Sequence, residues 1–472
     1  MKNSEGRELT RLSAVELGRL IRAREVSPVE AVEAYLRRIE CVNPALNAVV
    51  TLAPDALERA REAEAAVLRG EELGPLHGVP LTVKDTVDVR ALRATCGSRV
   101  RAGHVAEEDA PAVARLRAAG AIILGKTNCP EFALDYTSEN PVFGRTNNPH
   151  DPARTPGGSS GGCAAAVAAC MTAGSLGSDL AGSIRIPAHF CGVLGLKPTA
   201  GRVPGGGQLP PASGLHSLGA TLGPLARTAE DMRLLYAVLS GATSKADVRE
   251  GAHGMLKGTR VAFYGGALAT TAETRAAVES AARALAGRGL DVAEEVPPGV
   301  AEATGLWLSL FEYATQRFVR AAYEGREEEA GRAARVILGR AARWGEPPLE
   351  KILAAWEERD RARAALLSWM ERTPLFVAPV GGVPAFRHEE FGSVEVEGRS
   401  VPTFRAFTYA HTANVFDLPA ACVPAGRTAE GLPVGVQVVG RPHEEWRVLA
   451  AARALEEALG GWQPPPEALP KA

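Results

Sequence analysis

The sequence predicts an α/β fold: a single large domain whose central mixed, largely parallel sheet is covered by helices on both faces. Two observations predict it. A helical pattern, a glycine and a buried apolar run follow one another in "PAVARLRAAG" and "AIILGKT", an order typical of crossover units between parallel strands. Further short apolar runs bounded by Gly or Pro recur along the chain, as expected for strands buried on both faces.

The first seventy residues are predicted to be mainly helical. Ser13 precedes the helical pattern "AVELGRLIRAR". In "SPVEAVEAYLRRIE", Ser27 is an N-cap residue, Pro28 suits the first helical position and Glu30 completes a capping box. "HGVPLTVKDTVDV" then predicts a buried strand followed by a loop. From about 157 to 210 the chain is rich in Gly, Ser and Ala. Apart from an Ala-rich helix at about 162–172, its apolar residues follow neither the helical nor the strand periodicity.

Beyond residue 225 helical patterns return in "TAEDMRLLYAVLSGA", "TAETRAAVESAARALAGRG" and a long section rich in Arg, Glu and Ala. Strands are predicted at "RVAFYGG", "DVAEEV", "PLFVAPV", "PAACVPAG" and "PVGVQVVG", and "EEWRVLAAARALEEAL" closes the chain as a helix. No linker or repeat divides the chain. We therefore expect one domain over 1–472, with its core at about 8–460 and a helical insertion at about 300–372; a split into two domains near residue 225 is the alternative.

Composition indicates a soluble enzyme and argues against some partners. With a formal net charge of -2 the chain has no basic surface that would favour nucleic acid. The seven cysteines are odd in number and form no C-x-x-C pair, which indicates reduced thiols rather than disulfides or a zinc site. The N-terminal stretch lacks the apolar core of a signal peptide, and no run is long enough to span a membrane. The sequence thus predicts a cytoplasmic protein.

Two familiar motif patterns occur in contexts that do not suit them. "GAIILGKT", Gly120–Thr127, matches a phosphate-binding loop, but its four intervening residues are themselves an apolar strand, so we interpret it as a core strand followed by a loop lysine, Lys126. "GSSGG", Gly158–Gly162, matches a nucleophile elbow centred on Ser160, but a polar, proline-rich loop precedes it instead of a buried strand. No histidine has a local signature that would identify it as a partner of Ser160.

The segment from 157 to 187, "GGSSGGCAAAVAACMTAGSLGSDLAGSIRIP", contains the chemistry that the sequence indicates most clearly. Closely spaced Gly and Ala allow backbone amides to approach a substrate and to stabilise the oxyanion of acyl transfer, and several hydroxyls stand nearby. Only eight of the 53 basic residues are lysines, and one of them, Lys84, ends an apolar strand. Lysine, unlike arginine, can lose its proton, so Lys84 is a candidate base.

This segment resembles the amidase signature hydrolases, as do "GPLHGVPLTVKDTVDV", "KTNCPEFA" and "PVGVQVVGRP", and the resemblance covers roughly 8 to 460, with the signature segment at about 75–225. The family uses a Ser-Ser-Lys triad. The resemblance implies Lys84 as base, Ser159 as proton relay held by a cis peptide, and Ser183 as nucleophile, with no metal or organic cofactor. It also implies an oxyanion hole made by the backbone amides of Leu180, Ala181, Gly182 and Ser183.

The residues around Ser183 are expected to support it rather than react. We interpret Asp179 and Arg185 as a scaffold that fixes the loop, and Ser160 as part of the same scaffold. Lys84 must be neutral near pH 7, which burial could achieve, so Asp85 is expected to face away from it. The family commonly has two glycines before the nucleophile, and Ala181 replaces the first. Its methyl group requires a negative φ and narrows the acyl pocket.

The sequence predicts a free-standing amidase of small carboxamides, with Phe404, Phe407 and Tyr409 as an apolar pocket wall. One alternative is the glutaminase component of the tRNA-dependent amidotransferase. Such proteins usually carry an acidic residue shortly before an Asn-x-x-x-x-Pro segment, yet no residue from Thr403 to Asn414 is acidic. Hydrolysis of urea-like amides such as biuret or allophanate derivatives is another alternative, and a protein that only binds amides is a third. The oligomeric state is open, with a homodimer as one option.

Overall fold

The computed structural model describes residues 8–242, 256–266 and 268–466. The described helices are α1 (Ala14–Arg22), α2 (Pro28–Leu46), α3 (Ala56–Arg69), α4 (Pro111–Ala118), α5 (Gly161–Ala168), α6 (Arg185–Cys191), α7 (Ala229–Ser240), α8 (Ala272–Gly287), α9 (Ala303–Trp307), α10 (Tyr313–Tyr323), α11 (Arg332–Trp344), α12 (Leu349–Met370), α13 (Thr403–Ala406), α14 (His411–Val415) and α15 (Glu445–Leu459). A π-helical turn, Leu308–Glu312, joins α9 to α10.

The described strands are β1 (Val49–Leu52), β2 (Pro80–Lys84), β3 (Ile122–Thr127), β4 (Glu139–Asn140), β5 (Gly144–Arg145), β6 (Gly174–Asp179), β7 (Leu194–Lys197), β8 (Thr221–Ala226), β9 (Arg260–Phe263), β10 (Asp291–Glu294), β11 (Leu375–Pro379), β12 (Ser393–Val396), β13 (Arg399–Pro402), β14 (Ala420–Arg427) and β15 (Pro433–Gly440). Short 3₁₀ helices cover Leu9–Arg11, Arg99–Arg101, Glu131–Ala133, Gly214–Leu218, Glu327–Glu329, His388–Glu390 and Thr408–Ala410.

Eleven of these strands form one mixed sheet in the order β1-β3-β2-β6-β8-β7-β14-β15-β11-β9-β10. Parallel pairing joins β3, β2 and β6 near one end and β11, β9 and β10 at the other, and the remaining neighbours are antiparallel. The predicted α/β fold on one mixed sheet is confirmed. Antiparallel pairings are more numerous than the sequence indicated, because β7, β8, β14 and β15 in the middle of the sheet alternate in direction.

Helices cover both faces of the sheet. All eight residues of β15 are buried, and because successive strand side chains point to opposite faces, neither face of this strand reaches solvent. Helices α6, α8 and α15 pack against β14 and β15. The predicted helix starts are also present: Ser13 accepts a hydrogen bond from the Glu16 amide, and Ser27 and Glu30 form the capping box.

Several predicted elements lie where the sequence placed them. The three late apolar runs are β11, β14 and β15, and the helical section at about 300–372 contains α9 to α12. In the described ranges, no helix combines the length and the apolar character needed to cross a bilayer. One expectation is corrected: Lys126 lies within β3 and is fully buried, rather than in a loop. Its buried ammonium is compensated by the Asp85 carboxylate, which lies 3.8 Å away.

Candidate active site

The sheet brings the predicted catalytic segments to one edge. β2 and β6 are parallel neighbours, with Val83 opposite Leu176, so the carboxyl ends at Lys84 and Asp179 lie on the same side of the sheet. The carboxyl edge of parallel strands is where ligand sites are commonly built. Helices α5 and α6 begin beside this edge, directly after the two predicted serine segments.

Lys84 lies at the centre of a cluster of hydroxyl groups. Its Nζ donates to the Oγ atoms of Ser159 at 2.7 Å, Ser178 at 2.9 Å and Ser160 at 3.1 Å, and the side chain is fully buried. Burial removes water from the ammonium and lowers the Lys84 pKa from 10.5 to about 8. About a tenth of Lys84 is therefore neutral at pH 7, far more than for a lysine in water, and this neutral fraction can accept a proton.

Asp85 faces away from Lys84, as predicted. Its Oδ2 accepts hydrogen bonds from the Thr95 hydroxyl at 2.6 Å and the Gly97 amide at 3.4 Å, while Oδ1 lies 3.8 Å from Lys126 Nζ. A carboxylate beside Lys84 would stabilise the ammonium and raise its pKa. Because the neighbouring lysine and the Thr95 turn hold this carboxylate, the proton affinity of Lys84 stays low.

Ser159 and Ser160 form the turn into α5. The Gly158–Ser159 peptide is cis, which agrees with the family resemblance. The Ser160 amide donates to the Ser183 carbonyl at 3.0 Å, and the Ser160 hydroxyl donates to the Ser178 carbonyl at 3.2 Å. Ser160 thus joins the turn to the loop that carries Ser183, and its role as part of the scaffold stays a prediction.

Ser183 lies on the wall of the same cavity as Ser159 and is 7% exposed. Its hydroxyl makes no hydrogen bond to any residue in the described part of the chain. The preceding residue, Gly182, has φ +97°, and a Cβ there would lie 2.6 Å from the Ala410 Cβ, so only glycine fits. Ala181 has no positive φ, so its methyl group is tolerated as predicted, and it lines the cavity.

The amides of the nucleophile loop are not all available to a ligand. Gly182 N donates to Asp179 Oδ1 at 2.9 Å and Ile184 N donates to Oδ2 at 3.0 Å. The amides of Leu180, Ala181 and Ser183 have no acceptor among the described residues. Of the four amides predicted for the oxyanion hole, Gly182 therefore supports the loop, whereas the other three have no acceptor in this part of the protein.

Asp179 and Arg185 form the buried ion pair expected of a scaffold. Arg185 Nη2 lies 3.0 Å from Asp179 Oδ1 and Nε lies 3.1 Å from Oδ2. Arg185 also donates to the Ala410 carbonyl, Gln437 and Asn414. Burial alone would raise the Asp179 pKa, but the Arg185 charge and these hydrogen bonds hold it well below its usual range. The carboxylate stays ionised and orients the Gly182 and Ile184 amides.

A cavity of about 330 Å³ opens in front of Ser183 and Ser159. Of the three predicted wall residues only Phe404 lines it. Phe407 is corrected to a core residue that packs against Gly381 and Tyr136, and Tyr409 to a core residue whose hydroxyl accepts from the Leu268 amide at 2.9 Å and bonds Thr270 at 2.7 Å. Both are fully buried, because the turn after α13 directs them behind the cavity.

Much of the remaining cavity wall comes from individual residues that the sequence did not single out, although several of them lie in the helical insertion that it predicted to shape the substrate site. Trp307 from α9 and Tyr136 from the loop after β3 line the cavity beside Phe404, and His411 stacks behind Trp307 at a centroid distance of 5.3 Å. We call Tyr136, Trp307, Phe404 and His411 the aromatic cluster. Val336 and Ile337 of α11 add aliphatic surface. The predicted helical insertion does shape the cavity, but no local signal marks these residues.

Charged groups reach the cavity as pairs. Three carboxylates line it in the described part of the chain: Asp135, Asp179 and Glu312. Asp135 lies 3.4 Å from Arg332, Asp179 pairs with Arg185, and Glu312 lies 3.3 Å from Arg340. Each negative charge is thus compensated by an arginine. The rest of the cavity wall is mainly apolar, with hydroxyls and amides at one end.

No histidine contacts the candidate nucleophiles in the described residues. His216, the one histidine on the cavity wall there, bonds the Thr315 hydroxyl at 3.1 Å. His411 Nε2 bonds the Tyr136 hydroxyl at 2.9 Å, and burial lowers its pKa to about 3. The Ser-His arrangement of a nucleophile elbow is therefore not formed in this part of the protein, and Ser160 is not preceded by a strand.

Comparison with known proteins agrees with this geometry. The amidase family model matches residues 30–449. The glutamyl-tRNA(Gln) amidotransferase A subunit from Anaeromyxobacter sp. (strain K) is 35% identical over 501 positions, covering 98% of this chain and 100% of the relative. The structure of 6-aminohexanoate cyclic dimer hydrolase complexed with substrate is 31% identical, with a TM-score of 0.84 and coverage of 98% and 100%. A bacterial aryl acylamidase of the amidase signature family is 27% identical, with a TM-score of 0.84 and coverage of 95% and 96%.

Proposed function

Because the chain belongs to the amidase signature family, we propose that it is an amidohydrolase that cleaves the C–N bond of small carboxamides through an acyl-enzyme on Ser183. One observation carries the proposal: the buried amine of Lys84 donates to Ser159 at 2.7 Å, and Ser159 shares a cavity wall with Ser183. A base, a proton relay and a nucleophile are thus available without a metal or organic cofactor.

The reaction begins when neutral Lys84 takes the proton of Ser159 and Ser159 takes the proton of Ser183. The Ser183 oxygen attacks the amide carbon, and the resulting oxyanion is bound by free amides of the loop. The Lys84 ammonium returns a proton through Ser159 to the leaving nitrogen, and the C–N bond breaks. Water then attacks the acyl-enzyme through the same relay and releases the carboxylic acid, which restores neutral Lys84 and protonated serines.

The cavity favours an apolar acyl group. Tyr136, Trp307 and Phe404 present aromatic surface, and Val336 and Ile337 add aliphatic surface. A volume of about 330 Å³ suits a small aryl or alkyl group. The structural relatives named above are a 6-aminohexanoate cyclic dimer hydrolase and an aryl acylamidase, so both names indicate amide hydrolysis.

A second candidate function is that of the glutaminase component of an amidotransferase, which works with partner proteins. The 35% identity with such a protein over 98% of the chain favours it. The charge distribution in the cavity opposes it, because glutamine carries an ammonium and each carboxylate on the described cavity wall already pairs with an arginine. No carboxylate on this wall is left without a cation, so the cavity offers the α-ammonium no uncompensated negative charge.

The two functions can be separated with the purified chain. We expect it alone to release ammonia or amine from simple aryl and alkyl amides, and Ser183→Ala to abolish that release. A fluorophosphonate probe should add one mass increment to the wild type and none to Ser183→Ala. Glutamine and biuret belong in the same substrate panel. Glutaminase activity that requires the amidotransferase partner proteins would contradict the main proposal, and full labelling of Ser183→Ala would contradict the nucleophile assignment.

A further inference from the structure

Trp307 lines the cavity with its aromatic ring and also makes a hydrogen bond to the loop that carries Ser183. Its indole Nε1 donates to the Leu180 carbonyl at 2.9 Å. Leu180 belongs to the nucleophile loop, three residues before Ser183, whereas Trp307 is the last residue of α9 in the helical insertion. This hydrogen bond therefore joins a segment that shapes the cavity to the loop that carries the reacting hydroxyl.

The contact fixes the orientation of one peptide unit. Within the described residues, the cis peptides are Gly158–Ser159 and Leu209–Pro210, so the Leu180–Ala181 peptide is trans. In a trans peptide the C=O and the following N–H point in opposite directions. When Trp307 holds the Leu180 carbonyl, the Ala181 N–H must therefore point away from the indole, and it has no acceptor in the described part of the chain.

The next peptide unit is held from the other side. Gly182 N donates to Asp179 Oδ1, and Asp179 is locked by Arg185. The loop is thus fixed between an indole donor at Leu180 and a carboxylate acceptor at Gly182. The Ala181 amide lies between these two fixed points, and rotation of its peptide would break the Trp307 hydrogen bond.

Trp307 is itself held firmly. It is 6% exposed, its ring is nearly parallel to His411, with an interplanar angle of 20°, and it contacts Phe404 at a centroid distance of 5.2 Å. His411 is fixed in turn by the Tyr136 hydroxyl. Burial lowers the His411 pKa to about 3, so the ring under Trp307 stays neutral at working pH. The π-helical turn that begins at Leu308 changes the helix geometry directly after Trp307, as such turns often do at functional sites.

We propose that Trp307 is a positioning residue for the oxyanion hole: its indole N–H orients the Leu180–Ala181 peptide so that the Ala181 amide binds the developing oxyanion. The inference rests on the proposed function, since it assumes attack by Ser183. It deepens that function in one respect. An acyl group that packs against the Trp307 ring also contacts the residue whose indole N–H orients the Leu180–Ala181 peptide. The fit of the acyl group and the stabilisation of the oxyanion are therefore coupled.

The test removes the donor and keeps the ring. We expect replacement of Trp307 by the isosteric 3-benzothienylalanine, which lacks the N–H, to lower kcat about tenfold while KM changes less than about threefold. A donor that acts directly costs more, about 10² to 10³ in kcat. An interaction made only in the transition state lowers kcat rather than raising KM. Binding of a trifluoromethyl ketone, whose adduct with Ser183 carries the oxyanion, should weaken by a similar factor.

Two controls make the result interpretable. Trp369 Nε1 also donates to a protein acceptor, Glu295, but outside the cavity, so Trp369→Phe should leave kcat and ketone affinity unchanged. Equal thermal stability of the wild type and the isostere would show that the loss is not a folding defect. Unchanged kcat in the isostere, or a rise in KM alone, would overturn the inference. Inactive wild type, or active Ser183→Ala, would instead overturn the proposed function.

Discussion

At the scale of single residues, the position of Lys84 is the feature that makes proton transfer feasible. A lysine in water would hold its proton at neutral pH. Here burial lowers its pKa to about 8, while three serine hydroxyls provide acceptors for its N–H groups. The sequence could predict this lysine because it ends an apolar strand in a chain that otherwise prefers arginine. It could not predict Ser178 as the third acceptor, because that contact depends on the pairing of β2 with β6.

The pKa of Lys84 should appear in the pH profile of the enzyme. Below about pH 8 the ammonium form predominates and cannot take the serine proton, so kcat/KM should rise about tenfold per pH unit up to that value and then level off. Ser178→Ala should move the inflection to lower pH, because a hydroxyl that accepts from Nζ stabilises the charged form. Steady-state rates from pH 6 to 10 test this. A flat profile between pH 6 and 8 would contradict the role of Lys84.

At the scale of elements, β6 shows why part of the site could not be predicted. Its sequence, "GSLGSD", contains no β-branched or aromatic residue and resembles a loop. The small residues instead allow close approach, since a Cβ at Gly177 would lie 2.9 Å from the Ser160 hydroxyl. Packing against α5 and pairing with β2 and β8 make it a strand. The small residues of β6 indicate the chemistry of the site but do not predict that this segment is a strand.

Arg185 connects four elements, so its removal should mainly lower the free energy of unfolding. It joins Asp179 at the end of β6 to Gln437 on β15 and Asn414 on α14, from the first turn of α6. Arg185→Ala leaves the Asp179 carboxylate buried without its cation, which should lower the free energy of unfolding by about 3–5 kcal/mol in urea titrations. Arg453→Ala, at an exposed pair, should cost less than about 1 kcal/mol. Unchanged stability with abolished turnover would contradict the scaffold assignment.

Two aromatic residues in the segment after β13 have different positions, since Phe404 lines the cavity and Phe407 lies in the core. Single substitutions can test this assignment. Phe404→Ala should enlarge the cavity and shift selectivity towards bulkier acyl groups, because Phe404 lines it. Phe407→Ala should instead lower the free energy of unfolding by about 3–5 kcal/mol and leave selectivity largely intact, since it removes a fully buried ring. Relative kcat/KM across an acyl series and urea unfolding measure both. The reverse pattern would restore Phe407 as a wall residue.

At the scale of the whole molecule, local patterns predicted the strands and helices but not the neighbours of each strand. The α/β class, the capping box at the start of α2 and the late buried strands could be predicted because they depend on nearby residues. The cavity wall brings together Tyr136, Trp307 and Phe404, which are far apart in sequence, so only the folded chain identifies it. We propose that the described parts of the chain form a single domain, since strands from β1 near the N-terminus to β15 late in the chain belong to one eleven-stranded sheet.

Arg227 ties distant parts of this domain together, and its removal should loosen the N-terminal segment. The guanidinium is 1% exposed and has four backbone carbonyl acceptors, those of Thr10, Leu12, Val167 and Thr172. It also lies 5.6 Å from the Trp462 ring, close to the end of the described chain. Methionine at this position could fill much of the volume, but it would leave the Leu12 and Thr172 carbonyls without a donor among the described residues, whereas Thr10 and Val167 keep those from Tyr35 and Cys170.

We therefore expect Arg227→Met to lower the free energy of unfolding by about 2 kcal/mol or more, since buried acceptors without partners are costly. The loss should be local at first, because the carbonyls of Thr10 and Leu12 anchor the segment before α1 to the sheet. Hydrogen exchange by mass spectrometry should show faster exchange in residues 8–22 than in α15. Arg283→Met, at an exposed position on α8, should change neither quantity. Unchanged exchange in residues 8–22 would mean that the helix contacts of α1 and α2, rather than Arg227, hold this segment in place.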